Sequence, residues 1–318
     1  MPTRRRFGST DLDVSPLCLG ANVFGWTCDE EQSFAVLDAY VEAGGNFIDT
    51  ATVYSVWVPG NVGGESEAII GRWLASRGRP DDLVIATKVG YPGDPHMRAG
   101  LDRENVRAGI EGSLERLGVD SVELYYAHMD DQKIPLGEAL RNLDELKDEG
   151  LVQYLAASNY TPGRLAEALE VSEQEDLARF QGFQPHFNLL ERAEYQGDGE
   201  EICVREHIGV APYFTLARGF LTGKYRPGEE LPATPRAAGI SQAYLNDRGW
   251  GMLAVLDEVA AAHGATPAQV SLAWLMRYPG VVSPIASATT PAQLAELMGA
   301  VDLEITDDEF AALDAAGR

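Results

Sequence analysis

Cysteine is scarce in this 318-residue chain: Cys18, Cys28 and Cys203 are odd in number, widely spaced and include no Cys-x-x-Cys. That set argues against a disulfide framework or a zinc knuckle and suits a reducing, cytoplasmic setting. Positive charge is scarce too. Lys plus Arg number 25 against 49 Asp plus Glu, a formal net charge of −24. Such a field repels nucleic acid and anionic membrane surfaces unless a basic patch breaks it, and Arg4-Arg5-Arg6 is too short to be one. Neither class of partner is expected. No apolar run approaches the roughly 20 residues of a membrane span. Residues 1–7 are basic but no apolar h-region follows, so no signal peptide is expected. Lysine itself stands only at positions 88, 133, 147 and 224, which makes one inside an apolar strand conspicuous.

What is present is an alternation of short apolar runs and amphipathic helices. A hairpin is expected around residues 8–11, then a strand at 17–20 and a helix at 30–43 with Phe34, Leu37 and Val41 three and four apart. Gly44-Gly45 stops that helix. The unit recurs with strands at 46–49, 83–88, 122–128, 152–158, 180–184, 210–214 and 281–285. The helices between them start with such signals as Thr161-Pro162. Helical patterns also cover 251–262 and 266–277. Eight βα units imply an α/β chain closed into a (β/α)8, or TIM, barrel, one domain over residues 1–318. The open doubly wound sheet is the alternative, but no Gly-x-Gly-x-x-Gly follows the first strand. The Pro- and Gly-rich stretch 218–239 reads as a long loop within the barrel order.

In such a barrel, chemistry sits where strands end. Asp49, Lys88, His128, Ser158-Asn159 and Gln184 each close an apolar run. One polar strand end is unremarkable; five in consecutive strands point to a site. A lysine desolvated there needs a counter-ion, and Asp49 is on the neighbouring strand. Tyr54 follows Asp49 by five residues and can overhang the same mouth. A nearby ammonium is expected to lower its phenol pKa and to stabilise the phenolate left after proton donation. His128 can hydrogen-bond a substrate oxygen. Asp, Tyr, Lys and His thus make a proton-donating site for a carbonyl. His96, His207 and His263 share no metal-ligand spacing, so no metal is expected, and His186 reads as a satisfied core or rim histidine. The acids Glu138, Asp144, Glu145 and Asp148 read as a solvated helix face.

Asp49, Tyr54, Lys88 and His128 together resemble the catalytic tetrad of the aldo-keto reductases. Asn46-Phe47-Ile48-Asp49-Thr50-Ala51-x-x-Tyr54, Gly64-Glu65-Ser66-Glu67, Ser158-Asn159, Phe183-Gln184-x-x-Phe187-Asn188 and Gly219-Phe220-Leu221-Thr222-Gly223-Lys224-Tyr225 match further family segments, from about residue 6 to 308. The resemblance implies an NAD(P)(H)-dependent oxidoreductase that interconverts a carbonyl and an alcohol. It makes Tyr54 the general acid/base, tuned by Lys88, with Asp49 holding the lysine and His128 orienting the carbonyl. It also implies that Ser158, Asn159 and Gln184 bind the nicotinamide carboxamide and that Tyr213 stacks on its ring. The cofactor tail would meet Leu216, Arg218, Lys224, Ser287, Thr289, Gln293 and Glu296. Trp26, Trp57 and Tyr91 are expected to line the substrate mouth, Trp57 from the lengthened loop 55–63.

The tail segments depart from the family pattern. Tyr213-Phe214-Thr215-Leu216 replaces Tyr-Ser-Pro-Leu, and Ser287-Ala288-Thr289-Thr290 lacks the arginine that would grip a 2′-phosphate. NADP(H) is expected, with NAD(H) possible. Two other readings stand beside the reductase: a Schiff-base lyase using Lys88, and a cofactor-binding regulatory subunit with slow turnover. Substrate identity and oligomeric state are not legible in the sequence.

Overall fold

The computed structural model describes residues 3–92, 100–230, 240 and 243–318. Strands β1 (Arg5–Arg6) and β2 (Asp13–Val14) form the expected antiparallel hairpin. There follow β3 (Cys18–Gly20), α1 (Glu30–Glu42), β4 (Phe47–Asp49), α2 (Glu65–Arg77), β5 (Val84–Val89) and α3 (Arg103–Leu117). The middle of the chain continues with β6 (Val122–Ala127), α4 (Leu136–Asp148), β7 (Val152–Ser158), α5 (Pro162–Gln174), β8 (Phe180–Gln184) and α6 (Asp198–Arg205). After β9 (Gly209–Val210) comes a 3-10 helix (Ala217–Thr222), then α7 (Asp247–His263), α8 (Pro267–Arg277), β10 (Ile285–Ala286), α9 (Pro291–Met298) and α10 (Asp307–Ala316). Side chains set several helix starts. Asp29 and Thr266 close capping boxes with Gln32 and Gln269, and Thr161 caps the helix that begins at Pro162, each satisfying backbone N–H groups that the first turn leaves open.

Eight parallel strands run in the order β10-β3-β4-β5-β6-β7-β8-β9. The curl closes where Val210 bridges Val281, with Val282 N donating to Val210 O at 2.8 Å and Ile285 N to Pro212 O at 3.0 Å. This is the (β/α)8 architecture. The last two strands are shorter than the sequence pattern suggests. Pro212 and Pro284 lie inside the apolar runs, and a proline has no N–H to give a ladder. Their carbonyls still accept, Pro284 O from Cys18 N at 3.0 Å, so the chain holds its path without regular pairing.

Two apolar layers result. Leu, Ile and Val on the outer strand faces pack beneath the helices, while Phe7, Val14, Phe47, Val84, Ala86, Leu124, Tyr126 and Ala156 fill the barrel interior. Phe7 lies edge-on to Phe47 at 5.6 Å, so the hairpin plugs the end of the barrel where the strands begin. The opposite end is left for polar groups. Part of the expected loop 218–239 falls at residues 231–239, outside the described residues, as does His96. No described helix is long and apolar enough to cross a membrane.

Candidate active site

Side chains alternate across a strand, so every second residue faces the barrel axis. The inward apolar set continues by that rule: Phe47 to Asp49, Ala86 to Lys88, Tyr126 to His128, Ala156 to Ser158, Gly182 to Gln184. The register aligns these ends, with Asp49 opposite Ala86, Lys88 opposite Tyr126 and Ser158 opposite Gln184. Five polar side chains therefore gather at one mouth because each sits two residues beyond an inward residue.

Lys88 is fully buried, and its Nζ donates to Asp49 Oδ1 (2.6 Å), Thr50 O (2.7 Å) and Tyr54 OH (2.9 Å). Tyr54 OH also reaches Asp49 Oδ1 at 3.1 Å, and the second Asp49 oxygen accepts from Gln184 Nε2 at 2.8 Å. The lysine and the carboxylate thus satisfy one another inside the barrel, the condition under which a buried ion pair is tolerated. Lys88 Nζ also stands 4.6 Å from the centre of the Tyr54 ring.

Burial acts on each ionisable group here. It pulls the Lys88 ammonium down, against the opposing pull of Asp49. It drives the His128 imidazole well below its ordinary value, helped by the positive charge of Lys88, so His128 is neutral at neutral pH. Tyr54 corrects a sequence expectation. Its phenol is raised well above the ordinary value, first by burial and then by the Asp49 carboxylate. Desolvation disfavours phenolate more than the expected ammonium effect favours it.

A cavity of about 920 Å³ opens over this cluster. Every residue expected at the catalytic, cofactor or substrate site lines it except Lys88, which lies behind Tyr54. Asp49, Tyr54, His128, Ser158, Asn159, Gln184 and Tyr213 form one part of its wall. Leu216, Arg218, Lys224, Ser287, Thr289, Gln293 and Glu296 line it too, as do Trp26, Trp57 and Tyr91. The polar wall is cross-linked: Asn159 Nδ2 donates to His128 O at 2.8 Å, Tyr213 OH to Asn159 Oδ1 at 2.8 Å, and Ser158 Oγ to Gln184 O at 2.9 Å. Trp57 is 46% exposed; its ring meets Trp26 edge-on at 5.5 Å and stands 6.4 Å from that of Tyr54. Tyr91 leans on His128 at 4.8 Å.

A family profile described as the aldo/keto reductase family matches residues 16–318. The chain belongs to the aldo/keto reductase family. Among similar proteins is norsolorinic acid reductase B of Aspergillus parasiticus, 32% identical, covering 97% of this chain and 82% of that protein. Protein tas of Escherichia coli is 31% identical, covering 98% and 96%. A probable voltage-gated potassium channel subunit beta of Oryza sativa is 32% identical, covering 94% and 91%. Membership supports an oxidoreductase acting on carbonyl substrates, in a family that generally uses NAD(P)H.

This aldo/keto reductase has site residues that sequence reasoning did not single out. Asn22 lines the cavity and accepts from Ser287 Oγ at 2.7 Å; its place two residues beyond the end of β3 was a usable signal. Val53, Val56 and Met129 add apolar wall. Phe214 replaces a small residue of the family pattern, and its ring carries the Arg218 guanidinium at 4.7 Å. Thr215, the next residue of that segment, turns its hydroxyl to Ile285 O at 2.6 Å. Phe214, Ala217 and Arg218 adopt φ of 51°, 47° and 58°. Non-glycine residues rarely adopt this left-handed backbone, and it costs about 1 kcal/mol or more at each. The strain is concentrated in the loop that brings Arg218 to the cavity.

Proposed function

We propose that this chain is an NADP(H)-dependent carbonyl reductase, or alcohol dehydrogenase in reverse, with Tyr54 as general acid/base. It acts on aldehydes, ketones or sugar-like carbonyls within one barrel domain. The observation that carries the reading is the Tyr54 hydroxyl held 2.9 Å from a buried lysine at the floor of the cavity. The wall chemistry fits a nicotinamide dinucleotide: amide and hydroxyl groups at Ser158, Asn159 and Gln184, a flat ring at Tyr213, and cations at Arg218 and Lys224. A small neutral carbonyl would enter between Trp26, Trp57 and Tyr91. Three buried free thiols suit a cytoplasmic setting.

When bound, the cofactor supplies or accepts hydride. The residues supply the proton and the field. Tyr54 swings its hydrogen from Asp49 to the substrate oxygen. Lys88, held by Asp49, faces the oxygen on which negative charge then develops. Neutral His128 offers a hydrogen bond to the same carbonyl without adding charge. Tyr54 remains protonated through the neutral range, as a donor must.

Lysine nucleophilicity has less support. All three Lys88 hydrogens are committed, and the side chain is fully buried behind Tyr54. The regulatory reading takes its support from relatives named as channel subunits. Cofactor-linked absorbance across a panel of carbonyls, with NADPH and NADH in parallel, separates these. Turnover with NADPH over NADH is expected. Tight binding of NADPH with no turnover would favour the regulatory reading. Preference for NADH would move the cofactor assignment, for which Thr289, bonded to Gln293 at 2.9 Å, and the Glu296 carboxylate on the same wall are the grounds.

A further inference from the structure

His186 was expected to be satisfied, and it is not. Its Nε2 is buried and has no hydrogen-bond partner among the described residues. A buried polar atom left unpaired costs on the order of 1–3 kcal/mol, which the packing of the ring must offset. Burial holds the imidazole below its ordinary value, opposed by Glu194 and Glu191 and reinforced by Arg218. It is a neutral flat ring.

That ring lies stacked on Tyr213, with centroids 5.3 Å apart and planes 21° apart. The two residues form an isolated parallel bridge, Tyr213 N donating to Pro185 O at 3.0 Å. Phe214 closes one side edge-on at 5.3 Å, and the His186 backbone N–H is tied to Glu194 Oε2 at 2.9 Å. His186 does not line the cavity, whereas Tyr213 does. Tyr213 is therefore fixed at its hydroxyl by Asn159 and from behind by His186, which leaves its other face to the cavity.

We propose that His186 is a positioning residue. It sets the plane of the Tyr213 ring so that a second flat ring, the nicotinamide, can stack on the cavity side. The proposal rests on the cofactor reading above. Aromatic pairs depend on plane and offset, so a Tyr213 ring free to tilt loses stacking while contacts along the rest of the cofactor persist.

The test is equilibrium binding, by fluorescence quenching, of two probes: NADPH, and 2′,5′-ADP, which has no nicotinamide. His186→Ala and His186→Leu are expected to weaken NADPH about threefold to tenfold and to leave 2′,5′-ADP unchanged. His186→Phe, which keeps a flat ring and removes the orphan nitrogen, is expected to restore NADPH affinity with no loss of melting temperature. Tyr213→Leu should show the same NADPH-selective loss. Equal losses for both probes, wild-type NADPH affinity in Ala and Leu, or no rescue by Phe would overturn the assignment. If Tyr213→Leu shows the selective loss and the His186 variants do not, only the His186 proposal falls. If wild type binds neither NADPH nor NADH, the cofactor reading falls with it.

Discussion

In the proposed reaction four side chains carry the chemistry, and their charges depend on one another. Lys88 and Asp49 are buried together, so removing either strands the other. Lys88→Met is expected to destabilise the fold by about 3–5 kcal/mol, read as a lower denaturation midpoint; an unchanged midpoint would show that the pair is not the coupled unit described. The pH profile follows from the shifts. His128 is depressed well below its ordinary value and Tyr54 raised well above its own. His128 thus stays neutral as pH falls toward 6, and Tyr54 stays protonated as pH rises. Reductive kcat/KM is expected to be flat from about pH 6 to 9, and an ionisation near 6.5 that vanished in His128→Gln would contradict it. Asp49, Lys88 and His128 stand out in the sequence because each ends an apolar run, and Tyr54 because it follows Asp49 by five residues. The direction of the Tyr54 shift was not, because it depends on how completely neighbouring strands exclude water. The unpaired nitrogen of His186 was hidden for the same reason: satisfaction is a property of surroundings.

Most elements follow the period of their apolar residues, and their exceptions have local causes. The runs at 210–214 and 281–285 look like strands by composition, but Pro212 and Pro284 remove the donors and leave bridges. Helix α10 went unread although Thr306 and Glu309 form a capping box at its start, a signal independent of hydrophobic period. The acidic face of α4 is only partly solvated. Asp144 accepts from Ala178 N at 2.9 Å, and Glu145 from Arg103 Nε at 2.8 Å. Close helix packing yields a prediction no pattern could give. A Cβ added at Gly71 in α2 would stand 2.0 Å from Arg116 O in α3. Gly71→Ala, otherwise favourable in a helix, is expected to lower stability by about 1–3 kcal/mol; a gain in melting temperature would mean that the two helices separate freely.

For the whole molecule, the scarcity of positive charge now has a location. Carboxylates crowd the outer surface, as at the exposed Glu170, Glu173, Glu175 and Asp176, while among the described residues two line the cavity, Glu296 and Asp49, the latter matched by Lys88. Self-repulsion of a −24 chain is screened by salt, so the melting temperature should rise between about 0.05 and 0.5 M sodium chloride. A fall would mean that surface ion pairs such as Arg72–Glu30 outweigh the repulsion. The cations that the proposed anionic cofactor would need line the cavity instead, at Arg218 and Lys224. In the proposed reaction Tyr54 delivers the proton. The most direct measurement is single-turnover oxidation of bound NADPH by a saturating carbonyl in wild type and Tyr54→Phe, with NADPH affinity measured on the same samples. Tyr54→Phe is expected to lower the rate by about 100-fold to 10,000-fold with affinity little changed. Equal rates in the two proteins would contradict it.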